Sequence, residues 1–248
     1  MGPTQAASTG VQVVLITGAS SGIGAALATT APPDARVIGV ARRPPPRGEH
    51  LAADLADPRS WPRVAERVGA VVGERPERAV LLHFAGTLAP TGAVGTTDAE
   101  EYTDAVLLNA ASGQVLAAAF VDACARAAVP ATVVMCSSPA ATSPRAGAAQ
   151  YCAGKAALEQ WARAVALEGS DRPDAAVVFS VVPYGVDTPM VRAAMATPAD
   201  ELPLGEVFRA AASADRLAVP EDVAREIWAL VDAPPAPGAA VAVGAVPG

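Results

Sequence analysis

The chain has 248 residues, of which 52% are hydrophobic, 17% are charged and only 4% are aromatic. A chain of this length and composition can bury a sizeable aliphatic core in one domain, which excludes a disordered protein or a solvated tail. The formal net charge is −7 and no long basic run occurs, so nucleic acid and an anionic membrane surface are both poor partners.

The cysteine content and the N-terminal composition indicate where the protein works. Cys124, Cys136 and Cys152 are too few for a disulfide framework, and their spacings match no zinc site. We therefore expect no metal and a reduced, cytoplasmic setting. Residues 1–10 are small and polar, which predicts a flexible N-terminal segment that is not a signal peptide. No apolar stretch approaches the roughly 20 residues of a membrane span, so we expect no membrane partner.

Predicted strands and helices alternate along the chain. Buried β-branched runs predict strands at 11–16, 35–40, 50–53, 78–84, 131–136, 175–182 and 239–243. Helical patterns follow at about 22–29, 58–72, 98–128 with a break near Thr103, 149–168 and 221–231. Residues 184–219 are rich in Pro and Ala and predict an irregular, substrate-covering segment with short helices.

This alternation is typical of an α/β fold, in which a doubly wound parallel sheet is covered by helices on both faces. We predict about seven strands, one for each predicted strand run. No repeat, linker or change of composition divides the chain, so residues 11–248 are interpreted as a single domain. Such a sheet binds its ligand outside the carboxyl ends of its strands.

The segment TGASSGIG, residues 17–24, lies between the first strand and the first helix. Gly18 permits a tight turn, while Gly22 and Gly24 let backbone approach a pyrophosphate and let the helix pack on the strand. The N-terminus of the helix then faces the phosphates. A glycine-rich turn that only reverses the chain is the alternative. Because strand, turn and helix agree, the pattern favours a dinucleotide site.

Tyr151 and Lys155 lie four residues apart in the predicted helix 149–168, so both side chains project from one face. A free phenol has a pKa near 10 and is a poor acid–base catalyst at neutral pH. A nearby ammonium stabilises the phenolate and lowers that pKa. The alternative is a surface tyrosine beside a solvated lysine on an amphipathic helix.

Two further residues, Ser138 and Asn109, have polar side chains suited to the same chemistry. Ser138 follows the fifth predicted strand, where its hydroxyl can hydrogen-bond a substrate carbonyl, although turn and cap serines are also common there. Lys155 is the only lysine and Asn109 the only asparagine in the chain. A GC-rich coding bias explains the scarcity of both types, and a surviving lysine marks a place where arginine does not substitute.

These motifs together resemble the short-chain dehydrogenase/reductase family, in its single-domain branch with a Rossmann-type fold. The resemblance extends from Val11 to about Val243. Its elements are the glycine turn 17–24, the pair Asp54-Leu55, the strand end His83-Phe84-Ala85-Gly86, Asn109, Ser138 thirteen residues before Tyr151, Lys155 and the segment Pro183–Thr188. Gly86–Pro90 with Asp187–Met190 is weakly similar to the sepiapterin and benzil reductase subgroup.

The resemblance implies a role for each of four residues. Tyr151 is the general acid in ketone reduction and the base in alcohol oxidation. Ser138 positions and polarises the carbonyl, and Lys155 lowers the tyrosine pKa and holds the nicotinamide ribose. Asn109 orders a water that links Lys155 to solvent. The hydride comes from the cofactor.

The expected cofactor is NADP(H). The second strand ends without the acidic residue that an NAD-selective site requires, because Ala41 stands at that position and Arg42 and Arg43 follow it. Guanidinium groups suit a phosphate dianion, although an ordinary solvated charge is the alternative for each. The predicted cofactor-binding residues are Gly18, Ser20, Ser21, Gly22, Ile23, Gly24, Arg42, Arg43, Asp54, Leu55, Ala85, Gly86, Tyr151, Lys155, Pro183, Val186 and Thr188.

The chain departs from the family pattern at several positions. His83 and Phe84 replace two asparagines, and His83 is interpreted as structural or as an adenine-side contact. Tyr184 stands where the family has glycine and is predicted to wall the substrate pocket, with Leu88, Pro139 and Arg145. Arg145, Arg192 and Arg209 are possible substrate anchors or ordinary surface charges.

The resulting expectation is an NADP(H)-dependent oxidoreductase that reversibly reduces a ketone or aldehyde of a small organic substrate to an alcohol. A non-catalytic dinucleotide-binding regulator of the same fold is the alternative. An epimerase or dehydratase of the extended family branch is disfavoured, because those chains are longer and space their glycines differently. The apolar helices at about 104–128 and 149–168 predict a homodimer or homotetramer.

Overall fold

The computed structural model describes residues 12–172 and 175–244. The predicted N-terminal segment 1–10 lies outside the described residues, as do Val11 of the first predicted strand and the last residues, 245–248, of the predicted domain.

Seven strands form one parallel sheet, which confirms the predicted doubly wound α/β fold. The strands are β1 Gln12–Thr17, β2 Arg36–Ala41, β3 Glu49–Ala52, β4 Arg78–His83, β5 Ala131–Cys136, β6 Val177–Pro183 and β7 Ala240–Val243. Their order is β3-β2-β1-β4-β5-β6-β7, and every neighbouring pair is parallel. The order reverses between β1 and β4, so a crevice opens at the carboxyl ends of these two strands.

The helices connect the strands on both faces of the sheet. They are α1 Gly22–Thr30, α2 Trp61–Gly73, α3 Ala99–Val106, α4 Ser112–Ala127, α5 Ala149–Glu168, α6 Pro189–Ala196, α7 Leu204–Ser213 and α8 Pro220–Asp232. The region 184–219 contains α6 and α7, as the predicted short helices require. A short 3₁₀ turn, Pro58–Ser60, replaces the first residues of the predicted helix 58–72.

The break predicted near Thr103 is wrong. The helix runs on through Thr103 and widens into a π-helical turn at Leu107–Ala111, between α3 and α4. A π turn adds one residue to a helical loop and rotates the side chains that follow. Asn109 lies in this turn and is fully buried.

Two apolar layers hold the sheet between its helices. On one face, Val14 and Ile16 pack with α1 and with Trp228 of α8. On the other face, Leu15 packs with Phe120 of α4 and with α2 and α5. Each fully buried side chain of this kind contributes about 1.5–3 kcal/mol to folding. The core is aliphatic, as the low aromatic content requires.

The helical run Ala99–Ala127 is an exception to the expectation that no apolar stretch approaches a membrane span. It has 29 residues and a window of mean hydropathy 1.4, so its length and composition alone would suffice to cross a bilayer. A core helix of a soluble protein passes the same test. Here Leu116, Ala117 and Phe120 of this run are buried against the sheet and α2, which makes the span weak evidence for a membrane segment.

His83 is the last residue of β4 and is fully buried, so it is a structural residue and not an adenine-side contact. Thr17 Oγ1 accepts the amide protons of Phe84 and Ala85, each at 3.1 Å, and so donates its own proton to His83 Nδ1 at 3.0 Å. The remaining nitrogen, Nε2, has no hydrogen-bond partner among the described residues. Burial, aided by the charge of Lys155, lowers the pKa of His83 to about 3.

The low pKa of His83 predicts a stability loss in acid. The unfolded histidine binds a proton below its ordinary pKa of about 6.5, whereas the folded one stays neutral down to about pH 3. The contribution of neutral His83 to the free energy of unfolding is therefore fully present above the ordinary pKa. It decreases as the pH falls below that value, by up to about 1.4 kcal/mol per pH unit.

We measure the free energy of unfolding by urea for the wild type and for His83→Asn at pH 6.5 and at pH 4.5. We expect this free energy to fall between the two pH values by about 2 kcal/mol more in the wild type than in the variant. Equal losses in the two proteins would contradict a neutral, buried His83.

Candidate active site

The glycine turn lies at the crevice between β1 and β4 and leaves no room for a side chain at Gly18 or Gly24. Gly18 has φ +69°, and a Cβ on it would lie 2.8 Å from the Ala85 nitrogen. A Cβ on Gly24 would lie 2.3 Å from the Gly18 oxygen. The Gly18 amide also donates to the Val40 oxygen at 2.9 Å, which ties the turn to the end of β2. The turn thus brings bare backbone to the mouth of the crevice.

The N-terminus of α1 is open to a ligand. Ser21 precedes the helix, is exposed and makes no side-chain cap to the first turn, while Ser20 and Ile23 are partly buried. Thr188 stands over this turn, with its Cγ2 3.2 Å from where a Cβ of Gly22 would lie. Uncapped helix N–H groups carry positive partial charge and suit an anion. The residues present therefore fit a dinucleotide pyrophosphate.

The end of β2 carries the two predicted arginines. Ala41 is buried, whereas the Arg42 side chain is 78% exposed and Arg43 is exposed. Arg42 Nη1 lies 3.9 Å from Asp54 Oδ2, a loose surface pair that leaves its guanidinium available.

The Asp54-Leu55 pair follows β3, next to the end of β2. The Leu55 side chain belongs to a small core cluster, and its backbone oxygen accepts a hydrogen bond from Trp61 Nε1 at 3.0 Å. Only its backbone could therefore contact a ligand.

Lys155 and Tyr151 converge on the first turns of α5, as their spacing predicts. Lys155 is 3% exposed, and its Nζ donates to the Cys136 oxygen at the end of β5, at 2.7 Å. The same Nζ lies 5.5 Å from the centre of the Tyr151 ring. A Cβ on Gly86 would lie 3.4 Å from Nζ, so the glycine at the end of β4 leaves space for the ammonium.

The net pKa of Tyr151 moves in the direction opposite to that expected from Lys155 alone. Burial of the phenol raises its pKa, and this effect exceeds the lowering by the Lys155 charge and by the Ser138 hydroxyl. The expected contribution of Lys155 is present, but the sequence did not show that Tyr151 is partly buried. A phenol with a raised pKa holds its proton at neutral pH.

Ser138 lies at the start of a turn beside Tyr151. It caps the 3₁₀ turn Pro139–Ala141, and its Oγ accepts the Ala140 amide at 3.2 Å. The same side chain lowers the pKa of the Tyr151 phenol. Pro139 is partly exposed at the start of this turn. The cap thus holds Ser138 beside the tyrosine.

Asn109 lies directly behind Gly86. Its Oδ1 accepts the Thr87 amide at 2.9 Å, and its Nδ2 donates to the Thr87 oxygen at 2.7 Å. A Cβ on Gly86 would lie 3.1 Å from Oδ1, next to Lys155 Nζ. A Cβ on Gly154 would approach Asn109 Cβ to 2.7 Å, so this glycine lets α5 pack closely on the π turn.

An apolar cluster packs against Tyr151, and only some of its residues are predicted from the sequence. Its buried members are Leu88, Ala148, Ala194 and Leu202, with Cys152, Met190, Leu204 and Phe208 packed against them. The sequence predicts Leu88 at the pocket and includes Met190 in a segment of weak resemblance, but no motif indicates the other residues of α6 and α7. Their only signal was the Pro- and Ala-rich composition of the segment 184–219.

The segment Pro183–Thr188 runs between β6 and α6. Gly185, one position after Tyr184, takes the positive φ of +47°, so the displaced glycine still supplies a left-handed residue. Tyr184 is partly buried and donates its amide to Val243, and the apolar cluster around Tyr151 does not include it. Val186 is buried, and Thr188 caps α6 by accepting the Val191 amide.

The three proposed arginine anchors differ in their partners. Arg192 makes two hydrogen bonds of 2.8 Å to Asp187, which lowers the pKa of that carboxyl. Arg209 pairs with Glu206 at 2.7 Å and with the Met195 oxygen. Arg145 is partly buried, and its amide donates to Cys152 Sγ at 3.4 Å. Arg192 and Arg209 are therefore engaged by the protein itself.

Within residues 12–172 and 175–244, no three His, Cys, Asp or Glu side chains are grouped as metal ligands. The polar groups at the crevice are instead a phenol, an ammonium, a hydroxyl and an amide.

Comparisons with known proteins identify the family. The model of the short chain dehydrogenase family matches residues 12–199, and the chain belongs to that family. Benzil reductase ((S)-benzoin forming) of Bacillus cereus is 26% identical over 235 residues, covering 90% of this chain and 94% of the relative. This likeness fits the suspected subgroup.

Solved structures share the fold. A short chain dehydrogenase/reductase of Saccharomyces cerevisiae has a TM-score of 0.79 at 21% identity, over 93% of this chain and 95% of that chain. A variant of actinorhodin polyketide ketoreductase with NADPH has a TM-score of 0.78 at 25% identity, over 94% of this chain and 95% of that chain. Family and fold together define an oxidoreductase with a Rossmann-type sheet.

The glycine turn can be tested by adding one methyl group. Gly24→Ala places a Cβ against the Gly18 oxygen and must shift the turn, so we expect dinucleotide binding, measured by fluorescence, to weaken at least about tenfold. Gly69→Ala in α2 is the control, because no atom lies within 4 Å of its Cβ position. Unchanged binding in Gly24→Ala would contradict a cofactor site at this turn.

Proposed function

We propose that the protein is an NADP(H)-dependent reductase that reversibly converts a ketone or aldehyde of a small organic substrate to an alcohol. The observation that carries the proposal is the convergence of three groups at the crevice. The Lys155 ammonium lies 5.5 Å from the Tyr151 ring, and the Ser138 hydroxyl is near enough to the same phenol to lower its pKa. The phenol is protonated at neutral pH, which is the state that an acid in carbonyl reduction requires.

The residues of the chain act on the substrate oxygen. Ser138 Oγ orients and polarises the carbonyl, and Tyr151 donates its phenolic proton to the oxygen as the alcohol forms. The Lys155 ammonium stabilises the resulting phenolate, and Asn109 holds the backbone at Thr87 behind the lysine. When bound, the dinucleotide supplies the hydride. The reverse reaction uses Tyr151 as the base.

The preference for NADP(H) rests on charge at the end of β2. Arg42 and Arg43 are exposed, and Ala41 offers no carboxylate to ribose hydroxyls. The bound NADPH of the polyketide ketoreductase supports the same cofactor. Ser20 and Ser21 stand in the adjoining turn as hydroxyl donors.

The substrate we propose is neutral and partly apolar. Met190, Leu204 and Phe208 pack against the same apolar cluster as Tyr151, whereas Arg192 and Arg209 are paired with acidic side chains. A neighbouring cleft carries carboxylates from Asp98, Glu101 and Glu201, which disfavours an anion. The relationship to a benzil reductase makes activated diketones the first substrates to test.

A non-catalytic regulator of the same fold remains the alternative function. Oxidation of NADPH in the presence of a panel of diketones separates the two, because a regulator would bind the dinucleotide without turnover.

We also propose a cytoplasmic homodimer or homotetramer built on α4 and α5. Ala153 and Ala164 of α5 and Val115 of α4 are exposed, and Trp161 is only partly buried. These helices already cover the sheet, so their remaining apolar surface suits a second copy. Light scattering should give at least twice the mass of the 24.8 kDa chain, and a monomer at micromolar concentration would contradict the proposal.

Tyr151→Phe tests the proposed acid. The ring and its packing remain while the proton is lost, so we expect a rate lower by about 10²–10⁴-fold, with cofactor binding nearly unchanged. The rate is measured under conditions limited by chemistry. A variant that retained more than about a tenth of the wild-type rate would exclude Tyr151 as the acid.

Arg42→Ala tests the cofactor preference. A charge-assisted hydrogen bond contributes about 1.5–3 kcal/mol, so NADPH should bind roughly ten- to a hundredfold more weakly while NADH binding changes little. Arg59→Ala is the control, because its side chain is 91% exposed and pairs with Asp57. Equal losses for both cofactors, or a wild type that favours NADH, would overturn the assignment.

A further inference from the structure

Gln150 is a buried amide that stands directly before Tyr151 in α5. It is only 2% exposed, and both ends of its side chain are hydrogen-bonded. Oε1 accepts from Asn109 Nδ2 at 2.7 Å, while Nε2 donates to the Leu88 oxygen at 3.0 Å and the Ala89 oxygen at 3.4 Å. The side chain thus bridges the π turn and the chain that follows β4.

These bonds determine the orientation of two amides. Because the carbonyls of Leu88 and Ala89 only accept, the nitrogen of Gln150 must face them and its oxygen must face Asn109. Asn109 then has to direct Nδ2 toward Gln150, which leaves its Oδ1 for the Thr87 amide and the space beside Gly86. The Thr87 backbone requires the same orientation of Asn109, because its amide donates to Oδ1 and its oxygen accepts from Nδ2, so Gln150 and Thr87 together hold one flipped state.

The Nε2 end of the Gln150 side chain holds the backbone of Leu88, which belongs to the apolar cluster that packs against Tyr151. Leu88 is 7% exposed and belongs to the cluster that packs against Tyr151. Its backbone oxygen is held by Gln150 rather than by a strand partner. A shift of this backbone would move Leu88 relative to the phenol.

We propose that Gln150 is a positioning residue that sets the substrate wall at Leu88–Ala89 and the Asn109 amide together. The proposal rests on the reductase function proposed above, in which Tyr151 and Asn109 take part. Only an amide performs both tasks, since the position requires an acceptor toward Asn109 and donors toward two carbonyls. A methionine of similar length offers neither, and a glutamate carboxylate offers the acceptor alone.

The first experiment does not depend on turnover. Hydrogen exchange of the segment 85–91, followed by mass spectrometry, reports on the Thr87 amide that Asn109 holds. We expect Gln150→Met to speed this exchange at least about tenfold. The loss of a buried hydrogen bond changes the equilibrium constant for local opening by about that factor. Gln114→Met is the matched control, because Gln114 is a partly buried amide that donates to the Ala110 oxygen at 3.0 Å.

The second experiment separates positioning from stability. In Gln150→Met we expect the KM for a diketone to rise about tenfold per folded enzyme, while the dissociation constant for NADPH stays within about twofold. Gln150→Glu should recover as the pH falls, because a protonated carboxyl regains one donor toward Leu88. Gln114→Met should keep the wild-type KM.

The outcomes are distinguishable. The proposal would be overturned if Gln150→Met exchanged the segment 85–91 at the wild-type rate. It would also be overturned if Gln150→Met and Gln150→Glu lost activity only in proportion to the fraction of protein that is unfolded. A wild type that reduces no diketone or other carbonyl would refute the reductase function, and the exchange experiment would still decide the role of Gln150.

Discussion

The hydrogen bond from Lys155 Nζ to the Cys136 oxygen is the contact on which the candidate site depends. It joins the first turns of α5 to the carboxyl end of β5 at 2.7 Å, inside a region where the ammonium is almost fully buried. Leaving a charge of this kind unpaired would be costly, so the bond fixes the height of α5 along the sheet. Tyr151, one helical turn earlier, is placed beside Ser138 as a result.

Glycines allow the close packing that positions Lys155 and Asn109. Gly154 brings α5 against the π turn, Gly86 leaves room for Lys155 and Asn109, and Gly18 and Gly24 keep the dinucleotide turn flat against β4. At each of these positions a Cβ would approach a neighbouring atom to 3.4 Å or less. The polar groups of the site are thus set by backbone contacts rather than by long side chains.

Much of this arrangement follows from local sequence. The strand 131–136 and the helix 149–168 have the predicted bounds, because a buried β-branched run and a helical pattern are strong local signals. The π turn cannot be predicted from the hydrophobic spacing, since one additional residue shifts that spacing only once within the helical run Ala99–Ala127. The bonds of Gln150 and the raised pKa of Tyr151 depend on segments far apart in the chain, so neither could be predicted from nearby residues.

The most direct test of the account is a titration of Tyr151 in the wild type and in Lys155→Met. Phenolate absorbance is measured against pH, and the spectrum of Tyr151→Phe is subtracted to remove the other two tyrosines of the chain. Lys155 opposes the effect of burial, so removal of its charge should raise the pKa of Tyr151 above its wild-type value. An unchanged or lower pKa in Lys155→Met would show that the ammonium does not act on the phenol.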